Sequence, residues 1–152
     1  MKTIVVYDSV FGNTAKIAAQ IADSLKTEAV QVDKVDESML SGADLIVVGS
    51  PTRAFKPTPN MIAWVEKLTS SKLGQAKLAV FDTRMDTRDT KNLMMRFVNA
   101  MGYAAPWMQK KLSAKGFQVV KPAEGFFVEA SEGPLKAGEL ERAAAWATSL
   151  LN

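Results

Sequence analysis

Three short apolar runs constrain this chain more than any other feature: Thr3-Ile4-Val5-Val6-Tyr7, Leu45-Ile46-Val47-Val48-Gly49, and a third over 77–82 around Leu78-Ala79-Val80-Phe81. Each is rich in β-branched or aromatic side chains and lacks strict polar alternation, as a strand buried on both faces should be. The run at 45–49 is the most apolar and reads as the central strand. Between the runs the periodicity changes. Ile17, Ile21 and Leu25 recur every four residues beside Ala18 and Ala22, and Met61, Val65 and Leu68 line one face of a predicted helix over 60–68. Strands alternating with helices through short connections mean an α/β fold with a parallel sheet.

The remaining segments fit this frame. Ala29-Val30-Gln31-Val32-Asp33 alternates like a half-buried edge strand, and 36–41 is a short polar connection with Met39 and Leu40 turned inward. Helical material around Leu93, Phe97, Val98 and Met101 extends to Lys115, interrupted near Gly102 and Pro106. Gln118-Val119-Val120 and 125–128 read as a last strand broken at Pro122. A Gly133-Pro134 turn precedes a final helix whose predicted face is Leu140, Ala144, Ala147 and Leu151. With no repeats, low-complexity tracts or linkers, the 152 residues are expected to form a single domain over 1–152, burying roughly two-thirds of the unfolded surface.

Composition then limits the chemistry. The chain contains neither cysteine nor histidine, which removes disulfides, thiol nucleophiles, most zinc sites and the usual nucleophile–base pairs. Difficult chemistry would fall to a bound cofactor. No apolar run approaches the ~20 residues that span a membrane, and the N-terminus enters a strand without a charged leader, so a cytoplasmic protein is expected.

The first strand runs into Asp8-Ser9-Val10-Phe11-Gly12-Asn13-Thr14 before the first helix. Gly12 lets the backbone approach a ligand, and Ser9, Asn13 and Thr14 supply polar groups. The helix that follows opens with unpaired N–H groups at the positive end of its dipole, which favours an anion. The segment reads as a phosphate cradle, the alternative being a capped turn that binds nothing. It is not a Walker loop, lacking Gly-Lys-Ser/Thr, nor a dinucleotide fingerprint, having one glycine where three are needed.

At Ser9, Gly12 and Thr14 the loop resembles the flavodoxin phosphate loop, Ser/Thr-x-Thr-Gly-x-Thr. Phe11 replaces a threonine hydroxyl, as in flavodoxin-like quinone reductases. The resemblance implies a flavodoxin-like three-layer α/β sandwich with a five-stranded parallel sheet in the order 2-1-3-4-5. Ligands there bind outside the carboxyl ends of the strands. It also implies FMN as cofactor, its phosphate held by Ser9, Val10, Phe11, Gly12, Asn13 and Thr14.

The third strand runs into Gly49-Ser50-Pro51-Thr52-Arg53-Ala54-Phe55-Lys56-Pro57-Thr58-Pro59, whose three prolines stiffen the loop. Its Gly-Ser-Pro-Thr opening is similar to the family's flavin-holding loop. The resemblance implies that Ser50, Pro51, Thr52, Arg53, Ala54 and Phe55 lie along the isoalloxazine ring. For Phe55 the alternative is a ring folded onto the loop's own prolines, and for Arg53 a solvated surface cation. After the fourth strand the family places glycines, acids and often a stacking tyrosine. Here Thr83, Arg84 and Met85 stand at the ring's other edge, Met85 able to cover a face through its thioether. The alternative is a solvated turn of alternating charges.

Other prominent residues lean structural. Trp64 and Trp146 lie in amphipathic patterns and are expected in the core. Lys110, Lys111 and Lys115 form a basic helix face without the interleaved aromatics of a nucleic-acid platform, so no nucleic-acid partner is expected.

The formal charge is +3, where flavodoxins are typically acidic. Arg53, Lys56, Arg84 and Arg88 share the loops with Asp8, Asp82, Asp86 and Asp89, so the sequence leaves the local sign open. Dominant cations would stabilise an anionic reduced flavin and steer an acidic partner or an anionic substrate.

The resulting expectation is an FMN-binding electron carrier that shuttles electrons between redox partners, as monomer or dimer, rather than an enzyme with its own substrate. Two alternatives stand beside it. One is an NAD(P)H-dependent quinone or flavin reductase, favoured by Phe11 and Pro51-Thr52-Arg53. The other is a flavin-free interaction module on the same scaffold.

Overall fold

The computed structural model describes residues 1–87, 91–94, 96–97 and 102–152. Its elements are β1 (Thr3–Tyr7), α1 (Asn13–Ser24), β2 (Ala29–Gln31), α2 (Glu37–Leu40), β3 (Leu45–Pro51), α3 (Pro59–Lys67), α4 (Ser70–Leu73), β4 (Lys77–Met85), α5 (Ala104–Ala114), β5 (Gln118–Val119), β6 (Glu124–Val128) and α6 (Glu139–Ser149). The predicted Val98 and Met101 of the helical segment, and the predicted rim charges Arg88 and Asp89, lie outside the described residues.

The parallel strands run in the order β2-β1-β3-β4-β5, and β6 also pairs with β4. The expected order and α/β class are those of the molecule. Tyr7 pairs with Gly49 and Gly49 with Phe81, so β1, β3 and β4 reach the same sheet edge together. Their following loops therefore emerge side by side. The predicted last strand is two short strands, β5 and β6, on either side of Pro122, both parallel to β4.

Side chains alternate between two cores because successive residues of a strand face opposite ways. Val6, Val48 and Val80 pack with Met61 and Val65 of α3 and Met108 and Leu112 of α5. Val5, Val47, Ala79 and Phe81 pack on the other face with Ile17 and Ile21 of α1 and Ala143 and Ala147 of α6. Phe81, Phe126 and Trp146 meet edge to face with centroids 5.9–6.0 Å apart, each pair worth about 0.5–1.5 kcal/mol beyond its burial. Trp64 packs against the first core, so both expected core tryptophans are structural.

Several local expectations need correction. β2 ends at Gln31, and Val32–Lys34 turns into a 3₁₀ helix that buries Val32. Leu40 is buried but Met39 is exposed. Pro106 does not interrupt a helix: it sits in the first turn of α5, where its missing N–H costs nothing. The buried face of α6 is Ala143 and Ala147, whereas Leu140 and Leu151 are exposed. Small residues win there because α6 packs directly against α1. Lys115 is not part of a solvated basic face. Its Nζ donates to the carbonyls of Val65, Glu66 and Leu68, satisfying acceptors at the C-terminal end of α3.

Candidate functional site

The loop after β1 is shaped by its own side chains. Asp8 is buried; its carboxylate accepts from the Ser9 N–H at 2.9 Å and from the Thr58 hydroxyl. Ser9 Oγ accepts from the N–H groups of Gly12 (3.2 Å) and Ala15 (3.3 Å). Both lone pairs are then used, and the hydroxyl proton is what Ser9 has left to offer. Gly12 caps α1 at φ 95°, a left-handed conformation that favours glycine, and a Cβ built there would meet nothing within 4 Å. The backbone at the start of α1 is thus open to an approaching group. Thr14 Oγ1 lies 2.8 Å from Thr83 Oγ1, joining the first loop to β4.

The loop after β3 is pinned at three points. Ser50 Oγ accepts from the Thr58 N–H at 3.1 Å and donates to the Pro51 carbonyl, and Thr58 caps α3 through the Met61 N–H. Thr52 donates its N–H to the Thr83 carbonyl at 3.0 Å, while its Oγ1 accepts from the Ala104 N–H at 3.1 Å. A loop residue thereby caps α5. Arg53 and Lys56 exchange two backbone hydrogen bonds around Ala54 (φ 49°) and Phe55 (φ 71°), a tight hairpin with two non-glycine residues in the left-handed region.

Residues 83–85 are strand, not loop: β4 continues to Met85 because Thr83, Arg84 and Met85 pair with Phe126, Phe127 and Val128 of β6. The solvated turn of alternating charges is therefore absent over 82–85. Asp82 is fully buried and takes a bidentate pair from Arg84, Nε–Oδ1 2.6 Å and Nη2–Oδ2 2.7 Å. Its Oδ2 also accepts from the Ala105 N–H. Burial pushes the Asp82 carboxyl above its ordinary value, against the pull of Arg84 and the Ala105 N–H. The Arg84 guanidinium lies over the Tyr103 ring at 3.9 Å, and a Cβ on Gly125 would stand 2.4 Å from its Cζ. Gly125 makes room for this stacked cation.

Together these segments enclose a cleft over the strand ends. Val10, Phe11, Asn13, Thr14, Pro51, Thr52, Arg53, Thr83, Arg84 and Met85 line it, all of them read as site residues from the sequence. Val128 and Ser131 also line it and were missed. They belong to β6 and its following turn, held over the first loop where Asn13 Nδ2 donates to the Glu132 carbonyl at 3.1 Å. The Gly133-Pro134 turn was the available signal. A second recess, lined by Thr52, Ala54, Phe55, Arg84, Met85, Thr87 and Tyr103, shares three residues with the first. The two recesses hold about 110 and 260 Å³, each smaller than the roughly 300–1,000 Å³ of a typical small-molecule site.

Three sequence-predicted residues line neither recess. Ser9 and Gly12 form the backbone turn beneath, and Ser50 is wholly buried near the end of β3. The Phe55 ring meets Phe97 edge-on with centroids 6.4 Å apart. Arg53 is exposed and its Cζ lies 5.4 Å from the Phe11 ring centroid, linking the first two loops.

The local sign of charge follows. Asp8 is buried, Asp82 pairs with Arg84, and Asp86 pairs with Lys136 at 3.2 Å. Among the described residues neither recess is lined by a carboxylate, while both are lined by arginine. With Arg84 matched by Asp82, Arg53 is the lining cation that sets the sign of the cleft wall among the described residues.

Residues 4–125 match the family described as the flavodoxin domain, and the chain belongs to that family. An uncharacterized protein of Methanocaldococcus jannaschii is 27% identical over 121 residues, covering 79% of this chain and 71% of that protein. Among solved structures, a flavodoxin from the domain Archaea superposes with a TM-score of 0.75 at 20% identity, covering 99% of this chain and 96% of that one. A flavodoxin, WrbA-like protein from Agrobacterium tumefaciens gives 0.73 at 18% identity over 97% and 93%. The rubredoxin oxygen:oxidoreductase of Desulfovibrio gigas gives 0.71 at 18% identity, this chain spanning 34% of its length. At such identities the structural likenesses establish a shared fold.

Proposed function

We propose that this protein holds FMN noncovalently in the cleft over the strand ends and serves as a carrier of electrons between redox partners. The observation that carries this reading is the wall of the cleft: polar donors and an open helix N-terminus at one end, an apolar recess with Phe55, Met85 and Tyr103 at the other, and no carboxylate between among the described residues. A phosphate suits the first end. There the Gly12 backbone is unobstructed, the α1 dipole favours an anion, and the Ser9 proton and Thr14 hydroxyl are at hand. A planar apolar ring suits the second end.

The donor set therefore fits the group. FMN, when bound, supplies the capacity to accept and release electrons, and the chain lacks the histidine and cysteine that would supply other redox or acid–base chemistry. The chain's own tasks are to bind the phosphate, to position the ring between Pro51–Phe55 and Thr83–Met85, and to set the surrounding field through Arg53. Among the described residues no helix is long and apolar enough to cross a membrane.

The test is the visible absorption spectrum of the purified protein, before and after addition of FMN and gel filtration. Retained flavin bands support the assignment, and a protein that stays colourless after loading overturns it in favour of a flavin-free module. Stopped-flow mixing of the loaded protein with NAD(P)H then separates carrier from reductase, since a carrier is not reduced by the nucleotide alone.

A further inference from the structure

We propose that the face around the cleft mouth is a docking surface for an acidic protein, whose carboxylates ring an apolar centre. The proposal rests on the flavin reading above, because it names the kind of partner that site would serve. Of the large apolar side chains exposed among the described residues, Val10, Phe11 and Met85 line the cleft and Phe97 meets Phe55 at its second recess, with the exposed Leu93 and Met94 close before Phe97 in the chain. Leu93, Met94 and Phe97 are 78%, 73% and 58% exposed, far beyond what a single stray contact with water would need.

The patch is continuous through shared contacts. Phe11 lies under Arg53, Arg53 closes the hairpin that carries Phe55, Phe55 meets Phe97, and Met85 lines both recesses. Leu93 and Met94 stand four and three residues before Phe97, the spacing of one helical face. A contiguous apolar surface of this kind marks an interaction site.

Charge selects the occupant. Arg53, beside the Phe11 ring, and Lys56, its hairpin partner, are exposed, as are Lys91 and Arg96 of the segment that carries Phe97. Among the described residues the acids of the same loops are withdrawn: Asp8 and Asp82 are buried, and Asp86 is held by Lys136. The exposed Glu129 and Glu132 flank Ser131 on the turn after β6, so the cationic part of the rim is the side that carries Arg53 and Lys56. An apolar centre with a cationic rim complements a partner of the opposite rim, and complementary charge speeds encounter and sets orientation. A lipid surface fits less well. Membrane-surface helices carry the apolar and basic faces on one helix, whereas these groups come from three separate segments around a cleft.

The probes are an acidic [2Fe–2S] ferredoxin, a basic c-type cytochrome and vesicles containing phosphatidylserine. Binding is measured by calorimetry at low and moderate ionic strength, on the protein as purified and on the FMN-loaded protein. The ferredoxin is expected to bind, to weaken with salt, and to lose about tenfold in affinity in the Lys56→Glu/Arg96→Glu variant, equivalent to about 1.4 kcal/mol. Phe97→Ser should weaken binding without changing its salt dependence. Both changes lie at exposed positions, and circular dichroism checks that the fold is kept. Failure of the ferredoxin to bind, preference for the cytochrome, insensitivity to the charge reversal, or binding to vesicles in its place would each overturn the proposal. Docking that persists in a protein unable to retain FMN would overturn the flavin reading and leave this surface standing.

Discussion

Thr14 Oγ1 and Thr83 Oγ1 lie 2.8 Å apart, both buried, and join the first turn of α1 to β4 across 69 residues of sequence. Because β3 lies between β1 and β4, this single contact spans the carboxyl end of the central strand and fixes the width of the cleft floor. Replacing Thr14 by the isosteric valine leaves the Thr83 hydroxyl buried beside a methyl group. The expected loss is about 1–3 kcal/mol, with part of it recovered in the Thr14→Val/Thr83→Val double variant. Urea unfolding at constant m-value reads both, and strictly additive losses would show that the two hydroxyls do not interact.

Asp82 gives the fold a pH dependence of defined sign. Its carboxyl is raised above 3.8 in the folded protein because burial outweighs the Arg84 pair, so the folded state binds this proton more tightly than the unfolded chain does. The stability it contributes is fully present below 3.8 and is lost as pH rises through the raised folded value. Asp82→Asn removes that slope. Chemical denaturation of both proteins at intervals from acid upward is the check. An unchanged slope in the variant would assign the dependence to other carboxylates.

The hairpin at Ala54 and Phe55 carries backbone strain. Two left-handed residues in a two-residue turn suit Asn-Gly, and a non-glycine residue pays roughly 1–2 kcal/mol there. Ala54→Gly should therefore raise stability by up to about 1 kcal/mol, the gain being reduced by the greater freedom of glycine in the unfolded chain. A higher midpoint in urea at unchanged m-value is the expected reading. A lower midpoint would mean that the Ala54 methyl makes a contact worth more than the strain.

What the sequence made legible was what local pattern controls. The apolar runs announced β1, β3 and β4 because both faces of each are buried, and the hydroxyl- and glycine-bearing loops announced the cleft. Pairings between distant segments left no such trace. β4 reaches Met85 only because β6, some forty residues on, pairs with it in register, and Val128 and Ser131 reach the cleft by the same pairing. Arg84 looked like an edge contact, yet its guanidinium is held by Asp82 and stacked on Tyr103, two partners that only the fold assembles. For α6, a hydrophobicity pattern selects Leu140 and Leu151, while close packing on α1 selects Ala143 and Ala147.

Arg53 is where the cleft departs most clearly from an acidic flavin site, and its charge should be readable in the potential of a bound flavin. It lines the cleft, is exposed, and has no carboxylate beside it among the lining residues. A positive charge there favours the electron-rich state of whatever is bound. At a separation of about 8 Å and an effective dielectric near 40, one charge is worth about 1 kcal/mol, or about 45 mV for a one-electron step. Arg53→Gln should lower the midpoint potential of the loaded protein by an amount of that order, and Arg53→Glu by about twice as much. Added salt should shrink both shifts, because the group is open to solvent. Spectroelectrochemical titration of the three proteins at two ionic strengths makes the comparison. Equal potentials in all three would show that Arg53 points its charge into water and that the basic character of the cleft has no electronic consequence.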